Sequence, residues 1–208
     1  MSALIDKIKS ISKIQLLAIV LIIAGVGIMV SKVLGLFSFF KEVRYSQVNN
    51  FKAGNLSPDL LRPWMTIQYV SISFAVPQKY ILDAVKIQPK KENSMIALNR
   101  LNKQMNLGTT NSKPDVLGLV ADAIIQYRKN PVATGLIEGH VTDVMSIQYI
   151  ANSIGIPSQT IFADLGIPMD GNAYLPLGVL SDTVKYSGGP KSLTAAVQKI
   201  VDQTSKKP

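Results

Sequence analysis

No cysteine occurs among the 208 residues. That removes disulfides, thiolate metal sites and cysteine nucleophiles together, and leaves the redox compartment open. Histidine is almost as scarce, with His140 the only one. A multi-histidine metal site is thereby excluded, and a Ser/His/Asp triad could be built only around this residue. His140 sits in GLIEGHVTD with Glu138 and Asp143 nearby, a set that reads as a solvated loop rather than a transition-metal site. No G-x-S-x-G elbow surrounds a serine, and no glycine-rich phosphate loop is present. The carboxylates Asp59, Asp83, Asp115, Asp122, Asp164 and Asp170 are dispersed, and nothing marks any two as a glycosidase-like pair. The expectation is a protein that is not an enzyme, with no catalytic residue, no metal and no cofactor.

Charge is also missing from one long stretch. From Ile14 to Ser31 the run IQLLAIVLIIAGVGIMVS holds no ionisable side chain. As a helix it would reach ~27 Å at ~1.5 Å per residue, close to the ~30 Å hydrocarbon core of a bilayer. Apolar character resumes after Lys32 as VLGLFSFF, up to Phe40, and Lys32 can snorkel to the headgroups. A cleaved signal peptide would need a shorter apolar stretch and a small-residue cleavage site, which SKVLGLFSFFKE does not supply. The run predicts a single transmembrane helix and a place in the cell membrane. Lys7, Lys9 and Lys13 precede it while Lys32, Lys41 and Arg44 follow, so the flanking charge is balanced. A short N-terminus is easily left in the cytoplasm, which would put the C-terminal part outside.

The chain carries a net charge of +9 and a pI near 9.7. Such a balance suits anionic headgroups, nucleic acid or simple solubility. The cations are scattered except for a group at Lys86, Lys90, Lys91, Arg100 and Lys103, and a solvated face is the ordinary meaning of such a group.

Two segments match without a gap at an offset of 80: WMTIQYVSISFAVPQKYILDAVKI from Trp64 and VMSIQYIANSIGIPSQTIFADLGI from Val144. Met65, Ile67, Gln68, Tyr69, Pro77 and Ile81 meet identical residues at Met145, Ile147, Gln148, Tyr149, Pro157 and Ile161. This density of matches indicates an internal duplication. Further on, Leu98, Leu101 and Met105 answer Leu177, Leu180 and Val184, and each copy then enters a second helical pattern. Thr66 and Ser146 suit N-caps, Val70 and Phe74 share a face as Ile150 and Ile154 do, and Pro77 and Pro157 suit the first turn of the next helix. Gly155 suits the sharp turn between helices, Gly166 a C-terminal stop, and Lys191 and Ser192 the start of the last helix. The expected fold is all-α, with one N-terminal transmembrane helix and two tandem four-helix repeats. The boundaries are an anchor at 1–40, a connector at 41–57, and repeats at 58–130 and 131–208, with little or no sheet.

The order Ile150-Ala151, three residues, Gly155-Ile156, then Ile161 resembles the core spacing of the helix-turn-helix family. The first copy carries Ser71 for the small residue and Ala75 for the turn glycine. That resemblance implies DNA binding, with Gln78, Lys79 and Gln159 as the base-facing candidates, although Asp83 and Asp164 would meet phosphate unfavourably. The phrase SIQYIANSIGIPSQTIFADLGI is also similar to the central helices of LysM modules, which implies binding of cell-envelope glycans. The flanking strands of that module and its VxxGDT-like lead are missing. A third resemblance is to small helical modules of the MTxxYIAxxxGIPxxxLxxxLGI…PL type, attached to membrane spans in bacterial proteins. It rests on Met145, Ile150, Ala151, Gly155, Ile156, Pro157, Leu165, Gly166, Ile167, Pro176, Leu177 and Gly178, with Met65, Val76 and Pro77 in the first copy, and covers about two thirds of the chain. It implies an accessory role and names no reaction.

The function expected from these readings is a membrane-anchored, non-catalytic accessory or scaffold subunit. Its partners would be the lipid bilayer and other membrane-protein subunits, with nucleic acid and envelope glycan as the alternatives. Arg62, Trp64, Tyr69 and Tyr149 are the candidate partner-binding residues. Trp64, the only tryptophan, could anchor at a membrane interface or a partner, but the apolar Val144 at its counterpart favours a plug in the first repeat.

Overall fold

In the computed structural model the described residues are 56–88, 91–135, 137 and 139–204, all within one compact unit, Phe51–Pro208. Each copy begins with an extended hydroxyl residue that starts a helix. Thr66 (φ −95°, ψ 161°) accepts the Tyr69 amide on its Oγ1 and opens α1, Ile67–Phe74. Ser146 (φ −97°, ψ 156°) accepts the Tyr149 amide on its Oγ and opens the counterpart helix. Each cap satisfies one of the amides that a helix start leaves without an intrahelical partner.

α1 stops at Ala75, which adopts the left-handed conformation (φ 53°). Val76 and the extended Pro77 then lead into α2, Gln78–Ala84, which ends with the left-handed Lys86 (φ 59°). A short α3, Lys91–Ser94, precedes α4, Leu98–Gln104. A two-stranded hairpin, β1 Thr109–Thr110 and β2 Lys113–Pro114, turns the chain into α5, Val116–Lys129. The second copy runs α6 Ile147–Ile154, Gly155 (φ 80°), Pro157, α7 Ser158–Leu165, Gly166 (φ 66°), α8 Leu177–Thr183 and α9 Gly189–Thr204.

A second device recurs with the caps. The Leu98 amide donates to the Met65 carbonyl at 2.8 Å and the Asn99 amide to the Pro63 carbonyl at 2.9 Å. In the second copy Leu177 donates to Met145 and Gly178 to Asp143, both at 2.8 Å. These bonds use amides at the starts of α4 and α8 to stitch each helix to the loop before α1 or α6. The offset falls from 80 to 79 across this step. The first copy places its additional residue around α3, where Gln78 Nε2 donates to the buried Ser94 Oγ. The second copy closes the same space with a turn in which Ala173 accepts the Gln148 amide.

The apolar pairs Ile67/Ile147, Val70/Ile150, Ile81/Ile161, Leu98/Leu177 and Leu101/Leu180 are all at most 2% exposed. Each such side chain contributes roughly 1.5–3 kcal/mol on leaving water. The copies join like to like, with α1 packed against α6. Asn152 Nδ2 donates to the Ala75 carbonyl at 2.6 Å, while Ala75 and Ile72 pack into the second core. Thr134 and Gly135 from the intervening loop both donate to the Ser153 carbonyl.

The described part is therefore helical, with a single small hairpin. No helix among the described residues is long and apolar enough to cross a membrane, and the apolar run 14–31 lies outside them. α9 starts at Gly189, ahead of the Lys191 and Ser192 expected to open it. Val144 is 45% exposed and Trp64 only half-buried. The position they share is a rim, because the side chains that close the core come from Met65 and Met145 next to them.

Gly155 and Lys86 give opposite expectations from one constraint. Gly155→Ala adds a Cβ 3.0 Å from that of Ala133 at a left-handed residue and should cost about 1–2 kcal/mol in urea unfolding. Lys86→Gly gives the first copy the glycine that the second has at Gly166 and should stabilise by about 0.5–1 kcal/mol. A further contrast lies between Asn102 and its counterpart Ser181. Buried Asn102 donates to the Leu107 and Gly108 carbonyls and accepts the Val116 amide, whereas buried Ser181 Oγ has no protein partner. Asn102→Ala should destabilise by roughly 2–3 kcal/mol and Ser181→Ala by nothing, or even stabilise by up to about 1 kcal/mol, in the same assay.

Candidate functional site

The stitch between each α4-type helix and the preceding loop brings two backbone segments together near the surface. In the first copy Pro63 and Asn99 are hydrogen-bonded, so their neighbours Trp64 and Arg100 emerge from adjacent backbone. In the second copy Asp143 and Gly178 are bonded in the same way, so Val144 and Val179 emerge together, 45% and 44% exposed. The backbone of this spot is duplicated and its chemistry is not. One copy presents an indole and a guanidinium, and the other two valines.

The first copy surrounds its spot with more of the same character. The Trp64 and Tyr69 rings lie 5.4 Å apart, inclined at 54°. Arg62 is held at the entry to this loop, with Nη1 donating to the Asp59 and Leu61 carbonyls at 2.7 and 2.8 Å. Arg100 and Lys103 are exposed on one side of α4, and Met95 just before that helix is 58% exposed. Charge follows the same division. Residues 62–113 hold eight Lys and Arg against two acidic residues, whereas residues 114–204 hold five against eight.

Of the residues expected from sequence to bind a partner, Arg62, Trp64 and Tyr69 thus fall in one neighbourhood. Tyr149 does not join them, being 3% exposed within the second core. The substitution of Trp64 by Val144 explains the difference, since only the first copy has an indole for its tyrosine to pack upon. The base-facing candidates fare unevenly. Gln159 is exposed, Gln78 is buried against Ser94, and Lys79 is paired with Asp83 one turn along α2. Arg100 and Val179 acquire their places only through the change of offset, which the ungapped match ending at Ile87 and Ile167 does not reach.

His140 and Asp143 line a shallow cleft of about 480 Å³ with Lys191, Thr194 and Gln198 of α9. Its wall is fixed by the Val141 amide donating to Gln198 Oε1 at 2.7 Å. Among the described residues no three of His, Asp and Glu are grouped to hold a metal ion.

Tyr127 and Arg128, at the end of α5, link both copies electrostatically. Arg128 Nη1 donates to the Leu56 carbonyl at 2.7 Å, and its guanidinium lies 5.8 Å from the centre of the Phe74 ring. Burial lowers the Arg128 pKa, with Tyr174 of the second copy acting in the opposite sense. The Tyr127 ring packs edge-on to Tyr80 with centroids 5.1 Å apart. Burial pushes the Tyr127 phenol up to about 12, with Tyr80 and Tyr174 adding smaller contributions of the same sign. The folded state therefore holds this proton more tightly than the unfolded chain. Its stabilising effect should be complete below about pH 10 and be lost as the pH rises to about 12. Urea unfolding across that interval should show the loss in the native sequence and a smaller slope in Tyr127→Phe.

No family model, curated protein or solved structure matches this chain.

Proposed function

We propose that the protein is a membrane-anchored, non-catalytic scaffold whose two helical copies present different surfaces to components of a membrane complex. The observation that carries this reading is the paired spot, where one backbone arrangement displays Trp64 and Arg100 in one copy and Val144 and Val179 in the other. Caps, stitches and five apolar core pairs are kept between copies, whereas the spot beside the stitch differs in chemistry. Tryptophan and arginine are residue types that dominate binding energy at many protein interfaces. A pair of exposed valines framed by polar chain favours an apolar partner surface. The apolar run 14–31 supports the anchor, since as a helix it would match the thickness of a bilayer core.

A helix-turn-helix reading toward DNA has less support. The second helix of the first copy spends Gln78 on a buried hydrogen bond and Lys79 on an ion pair. That leaves few donors for base edges.

Extraction of the full chain in mild detergent should co-purify a partner at fixed stoichiometry. Val144→Glu with Val179→Glu should release it, at an unchanged melting temperature, because both side chains are exposed. A chain that purifies alone at native abundance would refute the scaffold reading.

A further inference from the structure

We infer that the first copy rests on anionic lipid headgroups, with Trp64 and Met95 at the interface and Arg100 and Lys103 over the phosphates. This inference rests on the membrane-anchor reading and names the component that the first copy's surface meets. Two observations favour a bilayer over other polyanions.

The first is charge. Among residues 56–204 the excess of cations is confined to 62–113, and the remainder of that stretch is net acidic. A polarised domain of this kind turns one end toward a negative surface, and attraction grows with each Lys or Arg brought within about a Debye length, ~10 Å at 0.1 M salt. The second is the company the cations keep. Arg100 follows Asn99, whose amide is bonded to the residue before Trp64, and Met95, the most exposed large apolar side chain among the described residues, precedes the same helix. Amphipathic indole at headgroup depth beside basic residues is the composition of an interfacial surface. A nucleic-acid groove would instead call for the polar donors of α2, which are committed elsewhere.

Docking in this sense leaves the second copy, with Val144, Val179 and the cleft at His140, available to protein partners. The two copies then have different occupants.

The single tryptophan makes the test direct. Full-length chain is reconstituted in vesicles of phosphatidylcholine, or of phosphatidylcholine with phosphatidylglycerol, each with brominated acyl chains that quench indole on contact. Trp64 emission should be quenched in the anionic vesicles, quenched little in the neutral ones, and recovered at high salt. Arg100→Glu with Lys103→Glu should weaken docking about 25-fold or more, at roughly fivefold per basic residue removed from the surface, and abolish the difference. Lys185→Glu with Lys199→Glu, exposed on the second copy, should leave it intact. Equal Trp64 emission in the two lipids overturns the inference, as does quenching that persists in the Arg100/Lys103 variant. So does displacement of Trp64 from anionic vesicles by duplex DNA at equal phosphate concentration. Flotation of the chain with neutral vesicles at high salt reports the anchor separately. If flotation fails, the anchor reading falls, and quenching by added anionic vesicles still decides the docking.

Discussion

A main-chain hydrogen bond that recurs in both copies, from Leu98 to Met65 and from Leu177 to Met145, sets the geometry of the domain. It brings a helix start against the loop that precedes another helix. The methionines whose carbonyls accept these bonds are themselves buried, which ties main-chain satisfaction and core packing to the same residues. The caps at Thr66 and Ser146 complete the arrangement by fixing where the following helix begins. Remove the stitch, and nothing holds the start of α4 or α8 to the loop before it.

Much of this was legible in the sequence because it is local. Thr66, Ser146, Gly155 and Gly166 act through the few residues around them, and each takes the conformation its chemistry favours, while Pro77 and Pro157 stand just ahead of the helices whose first turns they were expected to fill. The matched apolar positions were equally readable, since a helix buries what recurs at three- and four-residue spacing. What escaped was non-local. Ala75 and Lys86 adopt left-handed conformations that their side chains do not advertise, under the constraint of the turn they share with Gly155 and Gly166. Trp64 reads as a plug from its size and its apolar counterpart, yet the neighbouring methionine fills the core and leaves the indole at the rim. The anchor at 14–31 rests on hydropathy alone.

The copies also differ in how fully their polar interiors are satisfied. Asn102 spends its amide on three backbone groups and so holds the hairpin loop to the start of α5. The second copy has a shorter connection there, nothing to hold, and a serine whose hydroxyl is left over. Duplicated cores thus diverge most freely where a connection changes length, because the polar groups that served the longer loop lose their purpose. Charge differs in the same way, with a basic first copy and an acidic second one.

The contact of α1 with α6 has an implication for the smallest unit of this fold. Equivalent helices of the two copies meet each other, which is the geometry of an isologous interface in a symmetric dimer. A solitary copy would expose the helix face that its sister now covers, together with the Ala75-type turn against which Asn152 is bonded. Such a piece has every reason to self-associate through that face. The covalent tandem holds this pairing at every concentration and leaves its two halves free to differ in surface chemistry.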